Sequence, residues 1–315
     1  MTEARAIVHG CYSHDLLIHD DDRELVDGTL AFVRQGLSSG GQVLVHSSEE
    51  RVAMLHAALG SHPRLEYGLD RDLYLTPMST LFDYERAVAR SQEADLWVTG
   101  TVPFGPDHSV HPAWTRYESL VNEVLGRYPF HALCTYDTRA LPAGTVAAAR
   151  ATHPCISNGV DRVDNPGYVT PADFLTDPRA AAPCPPTSPP YASVTIHDAH
   201  DLRLARHLVA EVADAASVVD RDRIEGFVTA VHEVLANGLN HGRPPVRLGV
   251  WVDTAKVTCL IVDSGPGIAN PLTGYRYPEA ARDRGRGLWI ARQLCDELII
   301  RNSDGGGCNV LMSSG

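Results

Sequence analysis

The sequence contains no run of about 18 uninterrupted apolar residues, the length that spans a bilayer. Its first residues, MTEARAIVHGCYSHD, lack an apolar stretch flanked by basic residues, so no secretion signal is predicted. The seven cysteines are odd in number and never form a C-x-x-C pair, which argues against a disulfide framework and against a structural zinc site. We therefore expect a cytoplasmic protein with reduced thiols.

Positive charge is also scarce. Lysine and arginine number 27 against 39 aspartate and glutamate residues, and the formal net charge is -12. A field of this sign repels nucleic acid and anionic membrane surfaces, and no helix-turn-helix is recognisable. We therefore expect no direct contact with nucleic acid or with a membrane. A protein partner or a small ligand is favoured.

The chain is long enough for two folded domains. It has 315 residues, of which 44% are hydrophobic and 21% are charged, as is typical of globular proteins. The stretch TDPRAAAPCPPTSPPYAS at 176–193 is rich in proline, which removes backbone donors and favours extended geometry. It predicts a semi-stiff linker between domains at 4–175 and 194–315.

The first domain alternates short apolar runs with longer helical patterns. Buried strands are predicted at QVLVHSS (42–48), ADLWVTGTV (94–102) and HALCTYD (131–137). Helical spacing occurs in DRELVDGTLAFVRQGLSSG and HPAWTRYESLVNEVLGRYP. Because helices that separate strands connect parallel neighbours, the pattern predicts an α/β fold with a mostly parallel sheet.

The second domain begins with two helices, predicted at 198–216 and 221–241. The strands VRLGVWVD and KVTCLIVDS follow, then a loop, a helix at 285–297 and the strands LIIRNS and CNVLMSS. Neighbouring strands have short connections, so we expect antiparallel pairing with the helices on one face.

Three polar side chains share one side of the predicted helix at 221–241. Glu233 and Asn237 are four residues apart, as are Asn237 and His241. On spacing alone, a solvated helix face is the more common explanation. The alternative is a shared site, in which an Asn oxygen ligates Mg²⁺ and a Glu accepts the proton of an attacking hydroxyl.

In LIVDSGPGI (260–268), an apolar strand ends at Asp263 and is followed by Gly265 and Gly267. An Asp at this place can accept a hydrogen bond from an exocyclic amine such as that of adenine, and glycines let the backbone approach a flat ring. An ordinary turn would have the same sequence.

In DRGRGLWIARQLCDEL (283–298), Gly285 and Gly287 open a helix. Exposed amides at a helix N-terminus favour phosphate oxygens, and Arg282 and Arg284 add positive charge. A single Gly-x-Gly before a helix is weak evidence by itself.

The order of these three segments resembles the N, G1 and G2 boxes of the GHKL superfamily of ATP-binding domains. The resemblance covers 195–315 and implies the α+β Bergerat sandwich fold. HEVLANGLNHG, VDSGPGI and RGRGLWIARQLCDEL are most similar to the anti-sigma-factor serine kinases, in which the lid between the G1 and G2 boxes is short.

The resemblance implies that the domain binds ATP and Mg²⁺. It implies that Asn237 ligates the metal, that Glu233 is the catalytic general base and that Asp263 accepts from the adenine amine. The other residues implied at the nucleotide are Gly265 and Gly267 at the base, Gly285 and Gly287 at the phosphates, Arg282 or Arg284 in the lid, and His241, which either packs or lies beside the phosphates.

Two positions depart from the pattern of this superfamily. Gly238 stands where Ala is usual, which costs the helix up to about 1 kcal/mol but removes no ligand. Cys308 stands where a Gly-Thr pair is common, and because a thiol is a weak donor, we expect a weaker polar contact near the nucleotide at this position.

Five segments of the first domain, HGCYSHD, LAFVRQGLSSGGQVLVHSS, WTRYESLVNEVL, HALCTYD and ATHP, together resemble the MEDS sensory domain. The resemblance implies a RecA-like α/β fold, although GLSSGGQVL lacks the lysine of a phosphate-binding P-loop. A small-molecule or redox signal is expected at this domain. The polar candidates are His9, Cys11, His131, Cys134, Tyr136 and His153, with ordinary buried or hydrogen-bonded residues as the alternative to a ligand or metal site.

Two functions are compatible with these features. The first is an anti-sigma-factor-like regulator that binds a sigma factor, or phosphorylates Ser or Thr of a STAS-type anti-anti-sigma protein, or does both. The alternative is a non-catalytic, nucleotide-dependent protein-binding switch. A homodimer is compatible with either. A classical histidine kinase is disfavoured, because the linker stands where its phosphoacceptor hairpin would be.

Overall fold

The computed structural model describes residues 11–91, 94–108, 110–177, 186–216, 220–253, 256–277, 286–303 and 305–315. The chain divides into two compact units, Met1–Ala180 and Ala181–Gly315. In the part of the chain that is described, no helix is both long enough and apolar enough to cross a membrane.

The first unit contains a seven-stranded sheet. Its strands are β1 (Ser13–His19), β2 (Gln42–Ser47), β3 (Leu65–Leu69), β4 (Leu96–Gly100), β5 (Phe130–Asp137), β6 (Cys155–Ser157) and β7 (Arg162–Asp164). Their order is β3-β2-β4-β5-β1-β6-β7. Only the β6–β7 pair is antiparallel among these strands. The predicted α/β fold with a mostly parallel sheet is confirmed.

The helices of the first unit connect these strands. They are α1 (Asp22–Ser38), α2 (Glu49–Leu59), α3 (Asp70–Leu73), α4 (Pro77–Arg90), α5 (His111–Leu125), α6 (Ala143–Thr152) and α7 (Pro171–Thr176). The start of α1 is fixed by Asp21, whose side chain accepts the Glu24 N–H at 2.7 Å. Nearly every residue of β5 is buried, as is typical of a strand inside a parallel sheet, and this includes the polar residues His131, Thr135 and Asp137.

The second unit contains a five-stranded antiparallel sheet. Its strands are β8 (Ala192–Ile196), β9 (Val246–Val252), β10 (Val257–Val262), β11 (Glu297–Asn302) and β12 (Cys308–Ser314). Their order is β11-β12-β10-β9-β8. The helices are α8 (Ala199–Ala216), α9 (Arg221–His241) and α10 (Arg286–Gln293). One core joins these helices to alternate residues of β9, β10 and β12, so the predicted α+β sandwich is confirmed.

α9 is the central helix of the second unit and contacts both α8 and α10. It begins where the Asp220 side chain accepts the Arg223 N–H at 3.0 Å. Phe227, Val231 and Val234 recur at helical spacing and are buried in the core. The opposite side of the helix is therefore left for polar residues.

The segment before the second domain differs from the prediction. Ala192 and Ser193, which we assigned to the linker at 176–193, belong to β8 and pair with β9. The Tyr191 N–H also donates to Val250 O at 2.8 Å. Pro190 is the last proline of the linker. The residues that follow it have the backbone N–H donors that a strand needs.

The last helix also differs from the prediction, because α10 ends at Gln293 and not at 297. Arg292 is buried and donates from Nη1 to Leu298 O at 2.8 Å, while Cys295 Sγ donates to Ala291 O at 2.9 Å. These contacts fix a turn in which the chain passes from α10 into β11. Leu298 is buried in the sheet, as expected for the first residue of the predicted strand LIIRNS.

Candidate functional site

The polar side of α9 faces the start of α10. Glu233 and Asn237 are partly buried there, and both lie against Gly287. A Cβ at Gly287 would lie 2.6 Å from Glu233 Oε2 and 3.3 Å from Asn237 Nδ2. Only glycine permits this approach without displacing a side chain. The fold thus places a carboxylate and an amide beside the first turn of α10.

Asp263 lies just after β10, beside the end of α9. Its Oδ1 accepts the Gly265 N–H at 2.7 Å. A Cβ at Gly242, the residue after α9, would lie 2.8 Å from the same oxygen, and a Cβ at Gly265 would collide with Gly242. These two glycines let the loop after β10 pack directly on the end of α9.

Asn302, the last residue of β11, holds the loop that carries Gly267. Its Oδ1 accepts the Ile268 N–H at 2.8 Å, and its Nδ2 donates to Ile268 O at 2.9 Å. Cys308 Sγ also donates to Asn302 Oδ1, at 3.4 Å. Gly267 has φ of 82°, a conformation that favours glycine. The thiol at 308 therefore supports this loop, and Asn302 is a site residue that the sequence analysis missed.

Of the other residues predicted at the nucleotide, His241 lies on the surface and three are not described by the structure. His241 is the last residue of α9 and is exposed, like Asn240 before it. Among the described residues, no hydrogen-bond partner of the His241 ring is found. Arg282, Arg284 and Gly285 lie outside the described residues.

The segment at 271–277 packs on α10. The Arg292 guanidinium lies 3.6 Å from the centroid of the Tyr275 ring. Burial lowers the pKa of Arg292, and the neighbouring Tyr275 opposes this shift. Tyr277 and Trp289 form an edge-to-face pair with ring centroids 4.9 Å apart. The described part of the loop between the two glycine segments is thus anchored to the helix that carries Gly287.

In the first unit, three predicted residues meet at Glu118 of α5. Tyr136 OH donates to Glu118 Oε1 at 3.1 Å, Cys134 Sγ donates to Oε2 at 3.6 Å, and His153 Nε2 lies 3.5 Å from Oε2. His14, which the sequence analysis did not single out, places Nε2 3.1 Å from Oε2. We refer to His14, Glu118, Cys134 and His153 as the buried His-Glu-Cys cluster.

Burial sets the protonation of this cluster. It raises the pKa of the Cys134 thiol well above the ordinary value, and the charge of Glu118 adds to the shift. It lowers the pKa of His153 to about 3, with the charge of His14 adding to the effect. Burial acts to raise the pKa of Glu118, but the hydrogen bond and the charges of the two histidines outweigh it, so this pKa lies below its ordinary value.

The remaining candidates of the first unit lie elsewhere. His131 is buried between Ser13 Oγ, 3.0 Å from its Nδ1, and Asp95 Oδ2, 3.2 Å from its Nε2. Cys11 is exposed and precedes β1, which begins only at Ser13. Pairing of β1 with β5 starts at Ser13, so Cys11 lies before the sheet. His9 lies outside the described residues.

Both halves of the chain match protein families. Residues 13–154 match the model described as MEDS: MEthanogen/methylotroph, DcmR Sensory domain, and residues 197–313 match the Histidine kinase-like ATPase domain. No curated protein matches the chain.

Several solved structures are similar to part of the chain. The catalytic domain of histidine kinase ThkA has 16% identity and a TM-score of 0.26, covering 39% of this chain and 96% of its own. The histidine kinase domain of the E. coli osmosensor EnvZ has 17% identity and a TM-score of 0.24, covering 41% and 91%. Thermomonospora curvata EccC (ATPases 2 and 3), in complex with a signal sequence peptide, has 12% identity and a TM-score of 0.29, covering 47% and 30%.

Proposed function

We propose that this chain, which joins a MEDS sensory domain to a histidine kinase-like ATPase domain, is an ATP-binding regulator of the anti-sigma-factor type. In this proposal the second unit binds a sigma factor, or phosphorylates Ser or Thr of a STAS-type anti-anti-sigma protein, or does both. The first unit adjusts this activity in response to a small-molecule or redox signal. The observation that carries the proposal is the approach of Gly287 to Glu233 and Asn237.

ATP and Mg²⁺ fit the residues that meet at this place. Amides in the first turn of α10 favour phosphate oxygens, and no side chain at Gly287 obstructs them. The Asn237 side-chain oxygen is a hard neutral ligand of the kind that Mg²⁺ takes together with phosphate oxygens and water. Asp263 has one oxygen engaged by the Gly265 N–H, so Oδ2 would accept from the adenine amine.

Glu233 is the residue that we assign to proton transfer. In the proposed step, the hydroxyl oxygen of the partner's Ser or Thr attacks the terminal phosphorus of ATP, its proton passes to Glu233 Oε2, and ADP leaves. A general base placed in this way contributes roughly 10²–10⁴-fold to a rate. The proposed base lies next to Gly287 and so beside the amides assigned to the phosphates.

The replacement Glu233→Gln tests this role. It keeps the shape of the side chain and removes its basicity, so transfer of label from ATP to a STAS-type partner should fall by about 10²–10⁴-fold while ATP affinity changes little. Glu225→Gln, at an exposed position of the same helix, is the matched control and should transfer normally. Unchanged transfer by Glu233→Gln would overturn the role of this residue.

A pull-down of partners with and without ATP distinguishes the kinase from the alternative, a non-catalytic protein-binding switch that depends on ATP. Phosphate found on the recovered partner supports the kinase. ATP-dependent recovery of a partner that carries no phosphate, even with wild-type protein, supports the non-catalytic switch instead. Recovery of a partner that carries no phosphate and binds equally well without ATP contradicts both modes.

A further inference from the structure

The buried His-Glu-Cys cluster has the composition and spacing of a closed metal site. Its donor atoms come from β1, α5, β5 and the residue after α6, and all lie within 4.8 Å of one another. Metal–ligand bonds of about 2.0–2.3 Å in a tetrahedron separate ligand atoms by about 3.3–3.8 Å. The closest measured separations, 3.1 Å between His14 and Glu118 and 3.4 Å between Cys134 and His14, are near this range.

The hydrogen bonds of His153 leave a lone pair directed into the cluster. Its Nδ1 lies 2.7 Å from Ala149 O, and since a carbonyl oxygen only accepts, Nδ1 carries the hydrogen. In the neutral ring, Nε2 is then an acceptor. This atom is buried and has no hydrogen-bond partner among the described residues. It faces Glu118 Oε2, another acceptor, at 3.5 Å.

His14 is oriented in the same way. Its Nδ1 lies 3.1 Å from Asn122 Oδ1. The Asn122 amide is fixed because its Nδ2 donates to Thr152 O at 2.8 Å, so Oδ1 accepts and His14 Nδ1 donates. In the neutral ring, His14 Nε2 then also directs a lone pair at Glu118 Oε2, whereas in the charged ring it donates a hydrogen bond to that oxygen. A proton on His14 Nε2 would satisfy this contact but would still leave His153 Nε2 without a partner.

A divalent cation would satisfy all of these groups together. It would accept the lone pairs of both imidazole rings. The nitrogen atoms and the Glu118 oxygen would then be ligands of one ion, and would no longer be acceptors that face each other without a hydrogen between them. One carboxylate and one thiolate balance two positive charges, so the centre would be neutral. Neutrality matters here, because His14, Glu118 and His153 are completely buried and an unbalanced buried charge is costly.

We propose that His14, Glu118, Cys134 and His153 bind one divalent transition-metal ion of the zinc type. Imidazole and thiolate ligands favour such ions over Mg²⁺ and Ca²⁺. Four protein ligands leave no open position for a substrate, so the ion would shape the first unit and would not carry out hydrolysis. Two further residues position these ligands. Tyr136 is hydrogen-bonded to Glu118, and Asn122 is hydrogen-bonded to His14.

Metal analysis of the full chain, purified without chelator, tests this site directly. We expect about one ion per chain, and after removal of the metal a titration with Co²⁺ should give a thiolate-to-cobalt charge-transfer band with an equivalence point at one. Cys134→Ser should abolish the band and weaken binding at least about 100-fold. Cys155→Ser, a buried cysteine of the neighbouring β6, is the matched control and should keep the band.

Tyr136→Phe provides a second readout that preserves all four ligands. It removes only the hydroxyl that donates to Glu118 Oε1 and should weaken Co²⁺ binding by about 10-fold. Absence of a thiolate band in the wild-type chain would overturn the proposal, whatever the variants do. A band that survives in folded Cys134→Ser would do the same. These readouts need neither ATP nor a partner protein, so they are independent of the proposed function.

Discussion

His46 shows how burial changes the behaviour of a single polar residue in this protein. It lies on β2, with Nδ1 3.4 Å from the Tyr84 hydroxyl, and burial lowers its pKa from 6.5 to about 4. Below pH 6.5 the unfolded chain therefore binds a proton that the folded chain excludes. The contribution of His46 to stability is present above this pH and is lost as pH falls toward about 4.

The replacement His46→Gln measures this effect. Linkage predicts that protonation of His46 lowers the free energy of unfolding of the wild type by about 2 kcal/mol between about pH 7 and pH 5. The variant lacks this group, so its free energy of unfolding should decrease by about 2 kcal/mol less than that of the wild type over the same range. Urea unfolding at both pH values gives the comparison. His200→Gln, at an exposed position, should follow the wild type. Identical pH dependence of His46→Gln and wild type would contradict the prediction.

Other residue-scale features were only partly visible in the sequence. Glu233, Asn237 and Asp263 were predicted because short motifs connect them to a chemical task. Asn302 belongs to none of these motifs, and its role depends on Ile268, 34 positions away in sequence. A local pattern contains no signal for a hydrogen bond of this kind.

At the scale of elements, the contact between α9 and α10 forms the candidate nucleotide site. α9 was predicted with the bounds that the structure gives it, because its apolar residues recur regularly and Asp220 caps its first turn. α10 was predicted to extend to 297, because Leu294 and Cys295 continue a helical spacing. The turn at Arg292 ends the helix, and Arg292 is held there by its stacking on Tyr275, which lies in a different segment of the chain.

Gly287→Ala tests the approach of these two helices. The added methyl group would lie 2.6 Å from Glu233 Oε2, which must move away from the start of α10. Overpacking of this kind costs about 1–3 kcal/mol, so ATP affinity measured by calorimetry should fall about tenfold or more. Gly226→Ala, where the added carbon would lie 3.5 Å from Leu294 Cδ2, is the matched control and should bind ATP normally. Equal affinities of the two variants would contradict this account.

At the scale of the whole molecule, the chain divides into two compact units, so the stability of the second unit can be tested on fragments. The family match of the second unit begins at residue 197, yet β8 precedes it and covers the edge of β9. Trp251 Nε1 also donates to Ser188 O at 2.8 Å. Loss of this strand would expose the backbone groups of β9, and exposed edges promote aggregation.

A comparison of the fragments 186–315 and 197–315 tests the role of β8. We expect the longer fragment to unfold cooperatively and to bind ATP. The shorter one should have a melting temperature lower by about 5 °C or more, with more aggregation on heating. Equal melting temperatures would show that β8 adds nothing to the stability of the second unit.

The sequence by itself determined the type and order of the elements that follow β8 in the second unit, and it brought forward Glu233, Asn237 and Asp263 of the candidate nucleotide site. Helical and strand periodicities, caps and glycine motifs are properties of neighbouring residues, so they can be recognised without a fold. The tertiary structure decided which distant residues meet. His14 and Cys134 are 120 positions apart and come together because β1 pairs with β5 in a register that aligns Leu16 with Cys134. Sheet register depends on the packing of the whole core, and for this reason the buried His-Glu-Cys cluster emerged only from the fold.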